Sequence, residues 1–102
     1  MLNWKTKQVS NGEGLLKVDP SKAPLSAYLG ILGMTGLTSY LGLTQIGQPK
    51  KGETLVVSGA AGAVGSVVGQ IGKILGLKVI GIAGTDEKVE MLKSKFGFDV
   101  GI

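Results

Sequence analysis

The chain has 102 residues, enough for one small domain and too few for two. Its 43% hydrophobic and 18% charged residues exclude extended disorder, and its net charge of +4 comes from scattered lysines, which favours small anionic ligands over nucleic acid. Because cysteine and histidine are both absent, the chain can form no disulfide, no Ser-His-Asp triad and no ordinary zinc site. We expect a cytoplasmic protein, since no signal peptide is recognised at the N-terminus.

The first 18 residues predict two short strands, over residues 4–9 and 15–18, on either side of a turn at residues 11–14. Residues 19–24 contain two prolines and mark a boundary. Two short strands alone are marginal in water, so this segment is expected to be the end of another sheet.

Apolar residues at helical spacing between residues 25 and 46 predict two short helices. Gly33 and Gly36 punctuate this pattern, and residues 47–49 (Gly-Gln-Pro) end it. The residues that carry the helical spacing are Leu25, Leu29 and Leu32 for the first helix and Leu37, Tyr40, Leu41 and Leu43 for the second.

The remaining residues predict alternating strands and helices. Residues 54–58 form an uncharged, β-rich run expected to be a parallel strand buried on both faces, and a helix over residues 63–75 follows, with Gly76 as its C-cap. A second strand covers residues 78–83, Thr85 caps a helix that ends near Phe96, and residues 98–102 start a third strand. We predict an α/β fold, part of a doubly wound parallel (Rossmann) sheet, with the first two strands adjacent and joined by a right-handed crossover.

A membrane-spanning helix is the alternative for residues 54–72, which contain no charged side chain. Small residues spaced as in Gly65–Gly69 would even suit helix pairing in a bilayer. Against this reading, the run begins with β-branched residues, is broken by glycines at 59 and 62, contains Ser58 and Gln70, and is followed by Lys73.

The glycine-rich turn after the first predicted strand is the strongest functional signal. Compared with the dinucleotide-binding pattern G-x-G-x-x-G, Ala60 replaces the first glycine, while Gly62 and Gly65 keep the second and third. Gly62 would let the backbone approach a pyrophosphate, Gly65 would let helix and strand pack closely, and the N–H groups of residues 63–65 would face the anion. The position between a strand and a helix supports this interpretation, although glycines that serve only close packing remain the alternative.

The end of the second strand indicates which dinucleotide is bound. NAD sites usually place Asp or Glu there to bond the ribose 2′-hydroxyl, whereas this chain has Ala83. Thr85 offers a hydroxyl and Lys88 a cation, and both suit the 2′-phosphate of NADP. For Lys88 the alternative is an ordinary solvated lysine, because Asp86 and Glu87 stand beside it.

With these residues the chain resembles the zinc-independent branch of the medium-chain dehydrogenase/reductase superfamily, in particular its NADPH-dependent prostaglandin and alkenal (enone) reductases. The resemblance extends over nearly the whole sequence. It runs through Trp4, residues 25–30, residues 33–40, the turn at 60–65, residues 84–88, Leu92 and residues 97–99. It implies an NADP cofactor held by Gly62, Ala63, Val64 and Gly65 at the pyrophosphate, Ala83 at the adenosine ribose, and Lys88 at the 2′-phosphate.

The resemblance also implies that Thr38 lies near the nicotinamide. Zinc-dependent members have a cysteine ligand where this chain has Met34, so no metal is expected. Thr35 departs from the proline that many relatives have there, which bears on local turn geometry.

Members of this family are about three times as long, so the resemblance implies a fragment. Residues 1–19 would be the tail of the GroES-like catalytic domain and residues 20–102 the first half of the NADP-binding domain. The implied full-length protein is a homodimer that transfers a hydride to the C=C bond of α,β-unsaturated aldehydes or ketones. No catalytic residue is expected among residues 1–102, and no activity is expected of these residues alone. NADPH-dependent quinone reduction is the alternative enzyme function, and a non-catalytic nucleotide-binding or oligomerisation module is the alternative of another class.

Overall fold

The computed structural model describes residues 5–102, whose strands and helices alternate around a three-stranded parallel sheet of order β1-β2-β3. The predicted α/β class and the predicted parallel pairing of the first two strands are confirmed. The elements, in chain order, are a 3₁₀ helix (Leu25–Leu29), α1 (Met34–Leu41), a π-helix (Gly42–Gly47), β1 (Thr54–Val57), α2 (Gly65–Ile74), β2 (Lys78–Gly81), α3 (Asp86–Ser94) and β3 (Val100–Gly101).

The core lies between one face of the sheet and helices α2 and α3. Glycines bring these layers together, because two of them face the same aromatic ring: a Cβ added at Gly69 in α2 would run into the Phe98 ring, and one added at Gly81 in β2 would come within 2.7 Å of it. The Phe98 ring therefore occupies the space that side chains at positions 69 and 81 would need. The buried apolar residues of the core are Val57, Ala60, Leu77, Val79, Leu92 and Phe98.

The opposite face of the sheet is open within the described residues. Val56, Ile80 and Val100 are aligned across the three strands, and Val56 is 58% exposed. The prediction that the first strand is buried on both faces is therefore wrong for this part of the chain. The reason is that the helices following β1 and β2 both pack on the other side of the sheet.

The predicted N-terminal strands are absent from residues 5–24, which contain neither strand nor helix. The turn is present, with Gly12 and Gly14 in the left-handed region at φ of 84° and 69°, and the Leu15 N–H donating to the Gly12 carbonyl. The apolar side chains on either side, such as Val9 and Leu16, stay exposed, because no neighbouring strand is present to bury them. Trp4, where the first strand was predicted to start, lies outside the described residues.

The structure also decides the predictions made for Gly36 and for the uncharged run of residues 54–72. Gly36 does not interrupt a helix but is buried inside α1, where a Cβ would collide with the Ile31 carbonyl, so close packing explains this glycine. The uncharged run of residues 54–72 is divided among β1, a turn and α2. Between residues 5 and 102, no helix combines the length and the apolar character that crossing a bilayer requires.

Asp99 connects α2, β2 and the start of β3. Its carboxylate accepts hydrogen bonds from the Lys73 ammonium at 2.7 and 2.8 Å and from the Val79 N–H at 2.6 Å, while its own N–H donates to the Val79 carbonyl at 2.9 Å. The Lys73 contact, and then the Val79 N–H, lower the pKa of Asp99 below its ordinary value. The carboxylate thus takes the place of a backbone carbonyl as the acceptor for the Val79 N–H, and its charge strengthens this hydrogen bond.

We expect Asp99→Asn to lower the free energy of unfolding by about 0.5–1.5 kcal/mol at neutral pH, since both partners are about one-third exposed and screened. A depressed folded-state pKa means that the stabilisation is present above the unfolded carboxyl pKa and is lost as pH falls through the folded value. Urea unfolding of both proteins from pH 7 down to pH 2 should therefore show the difference shrinking towards acid. A difference that stays constant with pH would contradict this role.

Candidate functional site

The turn between β1 and α2 is fixed to the sheet at its start. Gly59 adopts the left-handed conformation at φ of 57°, where no Cβ is tolerated without strain. The next residue, Ala60, is fully buried and its N–H donates to the Ile82 carbonyl at 3.0 Å. The tight turn expected of the first motif glycine is therefore made one residue earlier, at Gly59, which explains why alanine fits at position 60.

Gly65 lets the first turn of α2 lie directly on this loop. A Cβ there would stand 2.5 Å from the Gly59 carbonyl oxygen and 2.9 Å from the Cα of Ala60, both backbone atoms. At Gly62 a Cβ would lie 3.1 Å from the same oxygen, and this residue is exposed. Gly65 thus serves the close packing predicted for it, and Gly62 lies on an accessible surface.

A cleft of about 240 Å³ opens where β1 and β2 end. This is the edge at which parallel α/β sheets bind their ligands. Three of the predicted site residues, Gly62, Ala83 and Lys88, meet in its wall. The complete lining is Gly59, Ala61, Gly62, Ala83, Gly84 and Lys88.

The start of α2 presents unpaired donors beside this cleft. The N–H groups of Ala63, Val64 and Gly65 donate to no acceptor within residues 5–102, as expected for the first residues of a helix. These three residues are not part of the cleft wall; they continue the same loop from Gly62 into the helix. Free N–H groups at the positive end of a helix dipole are suited to an anion.

The charge of the cleft wall comes from Lys88 alone, which is exposed and forms no ion pair with any of residues 5–102. Its backbone N–H donates to the hydroxyl of Thr85 at 3.4 Å, so Thr85 caps α3 as predicted. The Thr85 hydroxyl keeps its own proton for another acceptor. No carboxylate lines the cleft, so nothing in its wall repels a phosphate.

Thr38 lies outside the cleft wall, on an exposed position of α1. Its neighbour Ser39 is 1% exposed, and its hydroxyl lies 2.7 Å from the Thr35 carbonyl of its own helix and 3.0 Å from the Val64 carbonyl at the start of α2. Because a hydroxyl has one proton, these two acceptors share it. Ser39 therefore joins α1, and with it Thr38, to the start of α2.

Sequence reasoning missed several residues of this site. Gly59, Ala61 and Gly84 also line the cleft, and a β-strand followed by glycine was the signal that could have identified Gly59. Ser39 could not have been found from the pattern, because a serine inside a helix is ordinarily exposed.

No family model matches the chain. Individual proteins do match it. The Bacillus subtilis (strain 168) protein YfmJ, described as an NADP-dependent oxidoreductase, is 61% identical over 99% of this chain and 30% of its own length. The 2-alkenal reductase (NADP⁺-dependent) of Nicotiana tabacum is 51% identical over 97% of this chain and 29% of its own length.

Among solved structures, CurA from Vibrio vulnificus in complex with NADPH has a TM-score of 0.80 and 57% identity, covering 91% of this chain and 28% of its own. The chain thus spans about 30% of the length of the curated relatives it matches. The homologues of this chain are NADP-dependent oxidoreductases of the medium-chain dehydrogenase/reductase superfamily, whose Rossmann-like fold its parallel sheet shares.

Proposed function

We propose that this chain provides the adenosine phosphate end of an NADPH site in a protein that reduces the C=C bond of α,β-unsaturated aldehydes and ketones. The proposal rests on the cleft at the ends of β1 and β2. Its wall consists of glycines and alanines together with Lys88, which forms no ion pair with any of residues 5–102, and it contains no carboxylate. Its small residues leave room for a nucleotide, and its one charge is complementary to a phosphate. NADPH, when bound, supplies a hydride.

Each part of the wall has a task in this proposal. The backbone at Gly62 and the free N–H groups of residues 63–65 bind the pyrophosphate, and Ala83 lines the ribose pocket. Lys88, with the Thr85 hydroxyl, holds the 2′-phosphate. Thr38 is assigned to the nicotinamide end of the cofactor, and the Ser39 contact with Val64 supports this assignment because it joins the helix of Thr38 to the start of α2.

The reduction of unsaturated carbonyl compounds is supported by the similarity to a 2-alkenal reductase over nearly the whole chain. Met34, the first residue of α1, supports chemistry independent of zinc, because it stands where zinc-dependent members of the family that the chain resembles have a cysteine ligand. In the proposed division, residues 1–19 end a catalytic domain and residues 20–102 begin the NADP-binding domain of a cytoplasmic homodimer.

The test is the NADPH oxidation rate of the protein encoded by the complete gene, measured with a medium-chain 2-alkenal and with the saturated aldehyde of the same length. We expect oxidation with the 2-alkenal alone, because only that substrate has a polarised C=C bond to accept the hydride. A protein that binds NADPH and oxidises it with a quinone but with neither aldehyde would contradict the substrate class. A protein that binds no NADPH would contradict the site itself.

A further inference from the structure

The turn of residues 11–14, which does not line the cleft, contains an asparagine followed by a glycine. Asn11 and Gly12 are both exposed, and nothing lies within 4 Å of the position that a Cβ on Gly12 would occupy. The side-chain oxygen Oδ1 of Asn11 accepts the Glu13 N–H at 3.0 Å, and its Nδ2 donates to Glu13 Oε2 at 3.3 Å. The Gly12 N–H donates to Ser10 Oγ at 3.1 Å.

This arrangement suits attack by a backbone nitrogen on the neighbouring side chain. The Gly12 nitrogen and the Asn11 Cγ belong to adjacent residues and close a five-membered ring, and no Cβ on residue 12 hinders the approach. The N–H of Glu13 points at Oδ1, the oxygen on which negative charge develops during the attack, and it stabilises that charge. Asn3, the other asparagine of the chain, is followed by the bulky Trp4.

We propose that Asn11 is a site of spontaneous deamidation. The Gly12 nitrogen loses its proton to water and bonds to the Asn11 Cγ, and the Cγ–Nδ2 bond breaks as ammonia leaves with a proton from water. Water then opens the cyclic imide at either carbonyl, which leaves an aspartyl or isoaspartyl residue. The net change is an amide plus water to a carboxylic acid plus ammonia, with no change of oxidation state.

The product differs from the original chain in charge and in backbone. A carboxylate at position 11 reduces the net charge from +4 to +3. The isoaspartyl form adds one methylene to the backbone of the turn. It also provides the free α-carboxyl group that isoaspartyl methyltransferases recognise, so the reaction class that acts on this product is carboxyl methylation.

The experiment is incubation of the protein encoded by the complete gene at pH 8 and 37 °C, with peptide mapping by mass spectrometry and methyl transfer by an isoaspartyl methyltransferase as the two measurements. We expect Asn11 to react at least about tenfold faster than Asn3, a difference of about 1.4 kcal/mol in activation free energy. In Asn11→Gln the acidic form of the peptide that contains residue 11, and methyl acceptance by that peptide, should both disappear.

A parallel incubation in urea separates the local sequence from the folded turn. We expect the folded chain to react at least as fast as the unfolded chain, because the Glu13 contact is present only in the turn. Equal rates at Asn3 and Asn11 would overturn the proposal. A folded chain that reacts about tenfold more slowly than the unfolded one, equivalent to about 1.4 kcal/mol of protection by the turn, would overturn it as well.

Discussion

Replacing Gly65 by alanine is expected to lower the free energy of unfolding by about 1–3 kcal/mol, the usual cost of an added methyl in a tightly packed place. Alanine is favoured over glycine in a helix by about 1 kcal/mol, so propensity alone predicts the opposite sign. The clash prevails because the atoms met by the new Cβ, the Gly59 oxygen at 2.5 Å and the Ala60 Cα at 2.9 Å, belong to the backbone and cannot rotate away. Urea unfolding measures the change.

Gly42→Ala is the matched control for this substitution. Gly42 is also helical, with φ of −57°, and a Cβ there would meet nothing within 4 Å. The control should leave the protein unchanged or stabilise it by up to about 1 kcal/mol. The Gly65 variant should in addition bind NADPH more weakly, because the loop that carries Gly62 must move. Equal stability of both variants would show that the first turn of α2 does not rest on this loop.

The second large effect concerns the choice of cofactor in the complete protein. We expect Lys88→Ala to weaken NADPH binding by about tenfold and to leave NADH nearly unchanged, since only the 2′-phosphate distinguishes them. A charge-assisted contact contributes about 1.5–3 kcal/mol, and the exposure of Lys88 favours the lower end of that range. Ala83→Asp should also weaken NADPH binding, because a carboxylate in the cleft wall would repel the phosphate.

Titration of both cofactors at one fixed salt concentration measures these changes, since salt screens exposed contacts. Lys93→Ala is the matched control: this lysine is on the same helix but pairs with Glu90 at 3.7 Å and does not line the cleft. The control should bind both cofactors as the unaltered protein does. If Lys88→Ala and Lys93→Ala weakened NADPH equally, general charge rather than a phosphate contact would be responsible.

The sequence predicted best the elements whose signals are local. The β-rich run at residues 54–57, the glycine turn and the Thr85 cap each depend on neighbours a few residues away, and all three are found as predicted. The cleft could be anticipated for the same reason: the ends of adjacent parallel strands bring Gly62, Ala83 and Lys88 together.

Contacts between distant segments could not be predicted in this way. The exposed face of β1 depends on which side of the sheet each helix packs, which an uncharged run does not encode. The strands expected before residue 19 need partners that the described residues do not supply. Gly36 was misinterpreted because its neighbour is the Ile31 carbonyl, and a glycine needed for close packing looks the same in sequence as one that ends a helix.

The Phe98 ring between Gly69 and Gly81 limits how these three positions can change during evolution. A side chain at either glycine is excluded while the ring is present, whereas a smaller residue at position 98 would open a cavity unless one of the glycines were enlarged. The effect of each substitution therefore depends on the other two, which is sign epistasis. Accumulated changes at residues 69, 81 and 98 should consequently occur together, as covariation between a helix, a strand and the loop that precedes β3.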